Sequence, residues 1–77
     1  MNDSVEVNQD YVMVMYNPVE DSFAYKVYHV LDFSKINGKT HVNIQVKDKN
    51  KNLKRISLSE HKFYDLIYKR ILTRFRK

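Results

Sequence analysis

The sequence predicts an α+β domain: a four-stranded antiparallel sheet followed by one C-terminal helix, in the order β-β-β-β-α. Three observations carry that expectation. Val42, Ile44 and Val46 alternate with His41, Asn43, Gln45 and Lys47, a period of two that marks a strand with one buried and one wet face. Asn37-Gly38, between two apolar-rich segments, is the strongest short hairpin signal in the chain. After Ser59 the apolar residues recur at helical spacing.

The elements follow in order. Residues 1–9 are polar and acidic without periodicity and read as a flexible tail, which leaves 10–77 as the single folded domain. Tyr11–Tyr16 (YVMVMY) is the first strand, and Asn17-Pro18 with two following acids is a turn signal. The second strand runs from about Phe23 to Phe33. One of its alternating sets is Phe23, Tyr25, Val27, His29, Leu31 and Phe33, and the other is Ala24, Lys26, Tyr28, Val30 and Asp32. Neither set is purely polar, so both faces are expected to be at least partly covered. Thr40–Lys47 is the third strand, KDKNKN a basic loop and LKRISL a short fourth strand.

Ser59 is the expected N-cap of the helix, with Asp65 early and Arg70, Arg74, Arg76 and Lys77 late, as the macrodipole favours. At 100° per residue Phe63, Tyr64, Ile67, Tyr68, Ile71, Leu72 and Phe75 cover roughly half of its circumference, with Leu66 outside that arc. One sheet face needs a narrower stripe, so a second surface is implied, and the economical one is another copy of the chain. The expected homodimer interface is Phe63, Leu66, Ile67, Ile71 and Phe75. A second copy also suits a 77-residue chain without cysteine, whose core is marginal at this size and has no disulfide to reinforce it.

The charge is divided unevenly. Residues 1–34 hold six acids against Lys26 alone, a net −5, whereas residues 35–77 hold thirteen Lys/Arg against three acids, a net +10. A segment so basic favours a polyanionic partner, with a solvated surface as the plain alternative. The abundance of Lys, Asn and Tyr suits an AT-rich genome, such as that of a virus or low-GC bacterium. No run of about eighteen apolar residues exists, and the acidic start is unlike a signal peptide, so a soluble intracellular chain is expected.

The segment KRISLSEHKFYDLIYKRI (54–71) resembles the end of the positive cofactor four family of single-stranded-DNA-binding transcriptional coactivators. In that family a Lys-Gly-Ile-Ser-Leu strand runs into a helix bearing an aromatic residue. Ile56-Ser57-Leu58 matches directly, and Phe63 takes the aromatic place, followed by Leu66. Upstream, VLDF (30–33) resembles the family's strand ending in Asp-Phe, Gly38-Lys39 its hairpin, and VNIQV (42–46) its Ile-Asp-Ile-Arg strand. The similarity covers about residues 25–72. It implies a homodimer with helices packed across its centre and curved sheets that bind unpaired DNA, and a use in transcription, replication or repair. The chain departs from the family in a longer SKINGK hairpin, in Gln45 for a basic residue, in Asp48 near an aromatic position and in Arg55 for glycine.

Binding unpaired nucleic acid needs cations for phosphates and flat rings for bases. Phe33 is the first stacking candidate, expected on one strand face with Tyr25 and His29 and matching the family's aromatic. Lys35, Lys39, Lys47, Lys54 and Arg55 are the phosphate candidates, and His41, Asn43 and Gln45 line the wet face. The expected partners are single-stranded DNA, or RNA by the same chemistry, a second copy, and transcription or replication proteins. The acidic tail is placed to compete with DNA for the basic face.

Catalysis and cofactors are not expected. Ser57, Ser59, His61 and Asp65 crowd one strand–helix junction without forming a base held by an orienter. His61 and Asp65 at i, i+4 lack a second ligand pair for a metal, and with one glycine there is no phosphate-cradling loop. Two rivals remain. One is a basic protein-interaction module without nucleic-acid binding, such as a viral inhibitor of a host protein. The other is an interfacial membrane helix over YDLIYKRILTRFRK.

Overall fold

A computed structural model of the chain describes residues 4–75. The elements are β1 (Asp10–Asn17), β2 (Ser22–Ile36), β3 (Lys39–Lys47), β4 (Leu53–Ser59), α1 (Glu60–Tyr68) and β5 (Thr73–Phe75). The strands form one antiparallel sheet in the order β4-β3-β2-β1-β5. The α+β class and the four consecutive strands agree with the sequence reading, but a fifth strand joins the far edge.

Local chemistry explains the three hairpins. Ile36 pairs with Lys39 across a two-residue turn, where Asn37 and Gly38 both have positive φ (53° and 79°), the backbone that a type I′ turn demands. Between β1 and β2, Asn17 Oδ1 accepts from Val19 N at 3.0 Å, an Asx turn that starts the reversal. Between β3 and β4, Asp48 Oδ1 accepts from Asn50 N at 2.9 Å and Asn52 N at 3.0 Å. These donors, led by the Asn52 backbone, hold the Asp48 carboxyl below its ordinary range.

One face of the sheet is covered by α1, and the core lies between them. Val30, Val42 and Ile44 are fully buried and are joined by Tyr11, Val46, Phe63 and Leu72. The Phe63 ring meets Tyr11 edge-on, with centroids 5.2 Å apart and planes at 89°, a favourable quadrupole geometry. Ser59 caps the helix as expected, its side chain accepting from Lys62 N at 3.2 Å.

Three expectations are corrected. First, the tail is docked from Val5 onward. Val5 is buried and its N–H donates to the Tyr64 hydroxyl at 2.9 Å. Asn8 N donates to Val30 O and Val30 N to Gln9 O, both at 2.9 Å, continuing the ladder beyond β1. Met1–Asp3 lie outside the described residues.

Second, the helix stops at Tyr68. Arg70 takes φ 60°, Ile71 N donates to Leu66 O at 2.9 Å and Arg70 N to Ile67 O at 3.0 Å, which together make a Schellman end. Leu72 then drops into the core, and Thr73–Phe75 pair with Val12–Asp10. The wide apolar arc therefore belongs to two elements. Of the expected dimer residues, Phe63 is sealed in the core of its own chain, Leu66 and Ile67 pack against that core, and Ile71 and Phe75 are exposed. The uninterrupted amphipathic helix over residues 64–77 is likewise broken, and no helix among the described residues is long and apolar enough to cross a membrane. Arg76 and Lys77 lie outside the described residues.

Third, β2 carries a bulge. Val30 pairs with Ile44 and Asp32 with Asn43, leaving Leu31 as an extra residue. A one-residue insertion exchanges the faces of everything beyond it. Phe33, paired with Val42, consequently stands on the helix side and not with Tyr25 and His29.

Candidate nucleic-acid interface

The second face of the sheet has no covering element among the described residues, and the strand registers set what it displays. Its rows run across the strands as Tyr16–Phe23, then Val14–Tyr25, then Thr73–Val12–Val27–Lys47–Leu53. Phe75–Asp10–His29–Gln45–Arg55 comes next, followed by Asp32–Asn43–Ser57 and Ser34–His41–Ser59. The face is thus apolar and aromatic over β1 and the first half of β2, and polar and cationic over β3 and β4.

The side chains on the aromatic half are well placed for flat ligands. Phe23 is 72% exposed and Tyr25 54%. Tyr16 and Phe23, directly opposed across the hairpin, lie 5.0 Å apart at 51°. The Tyr16 hydroxyl donates to Asp21 Oδ1 at 2.6 Å, and that bond holds the phenol above its ordinary pKa. Phe75 lines a shallow depression with Asp10, Val12, Val27, His29, Gln45 and Lys47.

The β3–β4 hairpin supplies the charge. Residues 39–59 hold six Lys/Arg against Asp48 alone, and the Asp48 carboxylate is occupied by the loop amides. Lys47 and Arg55 stand on the open face, and Lys49 and Lys51 lie in the adjoining loop. At the centre, His29 Nδ1 lies 2.5 Å from Asp10 Oδ1, which commits one ring nitrogen to a carboxylate. Asn43 Nδ2 donates to Asp32 Oδ1 at 2.7 Å and to Ser34 Oγ at 3.3 Å. Its amide nitrogen is held at the bulge by both bonds.

The structure therefore gathers Tyr25, His29, Lys39, His41, Asn43, Gln45, Lys47 and Arg55 on one face. Phe33, Lys35 and Lys54 belong to the other side, the first two because of the bulge and Lys54 because it pairs with Val46. Sequence reasoning misses Phe23 and Tyr16 as site candidates, although their alternation with Tyr25 and Val14 carries the signal. It assigns Phe75 to the helix interface and not to this face, because the helical period of the apolar residues runs on through that position.

Two members of the cluster at the strand–helix junction have structural duties. Ser59 caps α1, and Asp65 pairs with Lys69 at 3.1 Å across one helical turn. No group of three or more metal-ligating side chains occurs among the described residues. Compared with protein-family models, curated proteins and solved structures, the chain matches none.

Proposed function

We propose that the chain is a homodimeric binder of single-stranded nucleic acid, DNA in the first instance, serving transcription, replication or repair. The observation that carries this reading is the pairing of exposed rings with cations on one sheet face. Tyr25 stands one row and Phe23 two rows along β2 from the Val27–Lys47 pair on the same face, and Gln45, Arg55 and His41 extend that surface. Bases stack on the rings, and the backbone runs toward the β3–β4 cations. An uncovered sheet bearing aromatic residues is a known solution for unpaired strands, because each base offers a flat face whatever its identity. The resemblance to the positive cofactor four family points the same way, with the stacking role moved from Phe33 to Tyr25 and Phe23.

The test is a titration with matched single- and double-stranded oligonucleotides over a range of salt. Affinity for single strands is expected to fall with a log–log slope of about −0.7 per phosphate neutralised. Tyr25→Ala is expected to cost about 1–3 kcal/mol of binding, whereas Phe33→Ala, on the opposite side, leaves binding within about twofold. Equal affinity for both strand forms, or loss with Phe33→Ala and not with Tyr25→Ala, would refute the assignment.

A second reading has its own observation. The distal half of the β1–β2 hairpin, residues 14–25, is apolar, carries no cation and ends in Glu20 and Asp21, a surface suited to a protein. A pure protein-interaction module predicts negligible oligonucleotide binding even at low salt.

A further inference from the structure

We propose that β1 of one copy pairs antiparallel with β1 of a second copy along Met13–Asn17, about a two-fold axis at Met15. This gives the homodimer of the preceding reading a surface, and it rests on that part of the reading alone. β1 has eight residues and β5 covers only Asp10–Val12, so five residues have no strand on their outer edge among the described residues. That stretch, Met-Val-Met-Tyr-Asn, has no charge, no proline and no bulge. Proteins rarely leave such an edge open, because its free N–H and C=O groups template another strand. The opposite edge, β4, follows the usual precaution and carries Lys54 and Arg55.

The occupant is argued from the lane beyond the edge. Were β1 of the second copy to lie along Met13–Asn17, its turn Pro18–Asp21 would meet the start of β5. There a depression is floored by Val12, Val14, Ile71 and Phe75 and bordered by Arg70 and Arg74. The turn offers the complement: Val19, 92% exposed, beside Glu20 and Asp21, neither in an ion pair among the described residues. Arg70 and Arg74 likewise form none there. Acidic apolar tip and cationic apolar depression belong to one chain and are offset along one strand edge. A two-fold therefore satisfies both at once, as a self-complementary interface requires. The product is a single ten-stranded sheet, twice the five strands of one copy, with Tyr16, Phe23 and Tyr25 of both copies at its centre.

The experiment is sedimentation equilibrium over a protein dilution series, with circular dichroism to verify each variant's fold. The unaltered chain is expected to dimerise and to go no further. Charge reversal at the tip (Glu20→Lys with Asp21→Lys) or at the depression (Arg70→Glu with Arg74→Glu) is expected to weaken self-association about tenfold. An equimolar mixture of the two reversed chains is expected to regain dimer, which a merely misfolded variant could not do. Met15→Lys, which sets two like charges at the axis, is expected to give monomer. A chain monomeric at every concentration overturns the homodimer and this interface together. A dimer indifferent to Met15→Lys and to both reversals overturns the interface and leaves the homodimer. Growth beyond two copies overturns the closed two-fold. Oligonucleotide titration of the Met15→Lys monomer then measures the nucleic-acid reading separately.

Discussion

Replacing Phe63 with alanine distinguishes a side chain that holds its own domain together from one that joins two copies. In the fold Phe63 is a core residue with no exposed surface, meeting Tyr11 edge-on at 5.2 Å. Truncating a buried phenylalanine costs about 3–5 kcal/mol, of which about 0.5–1.5 belongs to the ring pair. A domain of this length is stable by only about 4–12 kcal/mol in total, so the loss takes roughly a quarter or more. At about 4–8 °C per kcal/mol for a domain of this size, the melting temperature falls by about 12–40 °C. Tyr68, exposed at the end of α1 and part of the same apolar arc, is the control, and Tyr68→Ala is expected to cost less than about 1 kcal/mol. The assay is thermal and urea unfolding followed by circular dichroism at two protein concentrations. The core assignment requires a large Phe63→Ala loss that is the same at both concentrations. A Phe63→Ala loss below about 1 kcal/mol, or equal losses for both variants that grow on dilution, would return Phe63 to an intermolecular helix interface and refute the packing argument.

Other perturbations probe the local chemistry. Gly38→Ala is expected to destabilise by about 1 kcal/mol, a purely conformational cost because nothing lies within 4 Å of the added Cβ while φ is +79°; denaturant midpoints measure it, and an unchanged midpoint counts against the turn geometry. Ser59→Ala is expected to lose about 1 kcal/mol and Ser59→Asp almost none, again by denaturant titration; equal losses would deny the cap its role. Asp48 has its pKa lowered in the folded chain, chiefly by the Asn52 amide. Its contribution is therefore complete above the ordinary value of 3.8 and disappears as pH falls through the folded value. The acid limb of the stability–pH curve should be shallower in Asp48→Asn, and an identical limb would show the loop bonds to be inconsequential.

The sequence is most informative where one physical demand acts alone. Alternation in β3 is legible because Val42, Ile44 and Val46 face a core while His41, Asn43 and Gln45 do not. Asn37-Gly38 is legible because few residue pairs accept two positive φ angles. The failures have equally definite causes. Leu31 is inserted in a strand whose two residue sets are both mixed, so no polarity pattern marks the change of face, and Phe33 is misplaced with it. The helix end is hidden because Arg70, not glycine, takes the left-handed position, and because Ile71, Leu72 and Phe75 happen to continue the helical period. Val5 sits with the exposed Val7 in a mostly polar segment, and the hydroxyl that holds its backbone, Tyr64, is 59 positions away. The candidate face is legible as to which residues of β3 and β4 are wet. Its aromatic half depends on which strands lie beside each other.

That long-range bond has a kinetic corollary. β1 through β4 are joined in succession by short turns, so most of the sheet assembles from neighbours with little loop to close, whereas β5 and Val5 must find partners across most of the chain. The meander should collapse early, and the strand and segment contributed by the two ends should latch last. Amide protons in β5 should correspondingly exchange through local opening well before those of Val30 and Ile44.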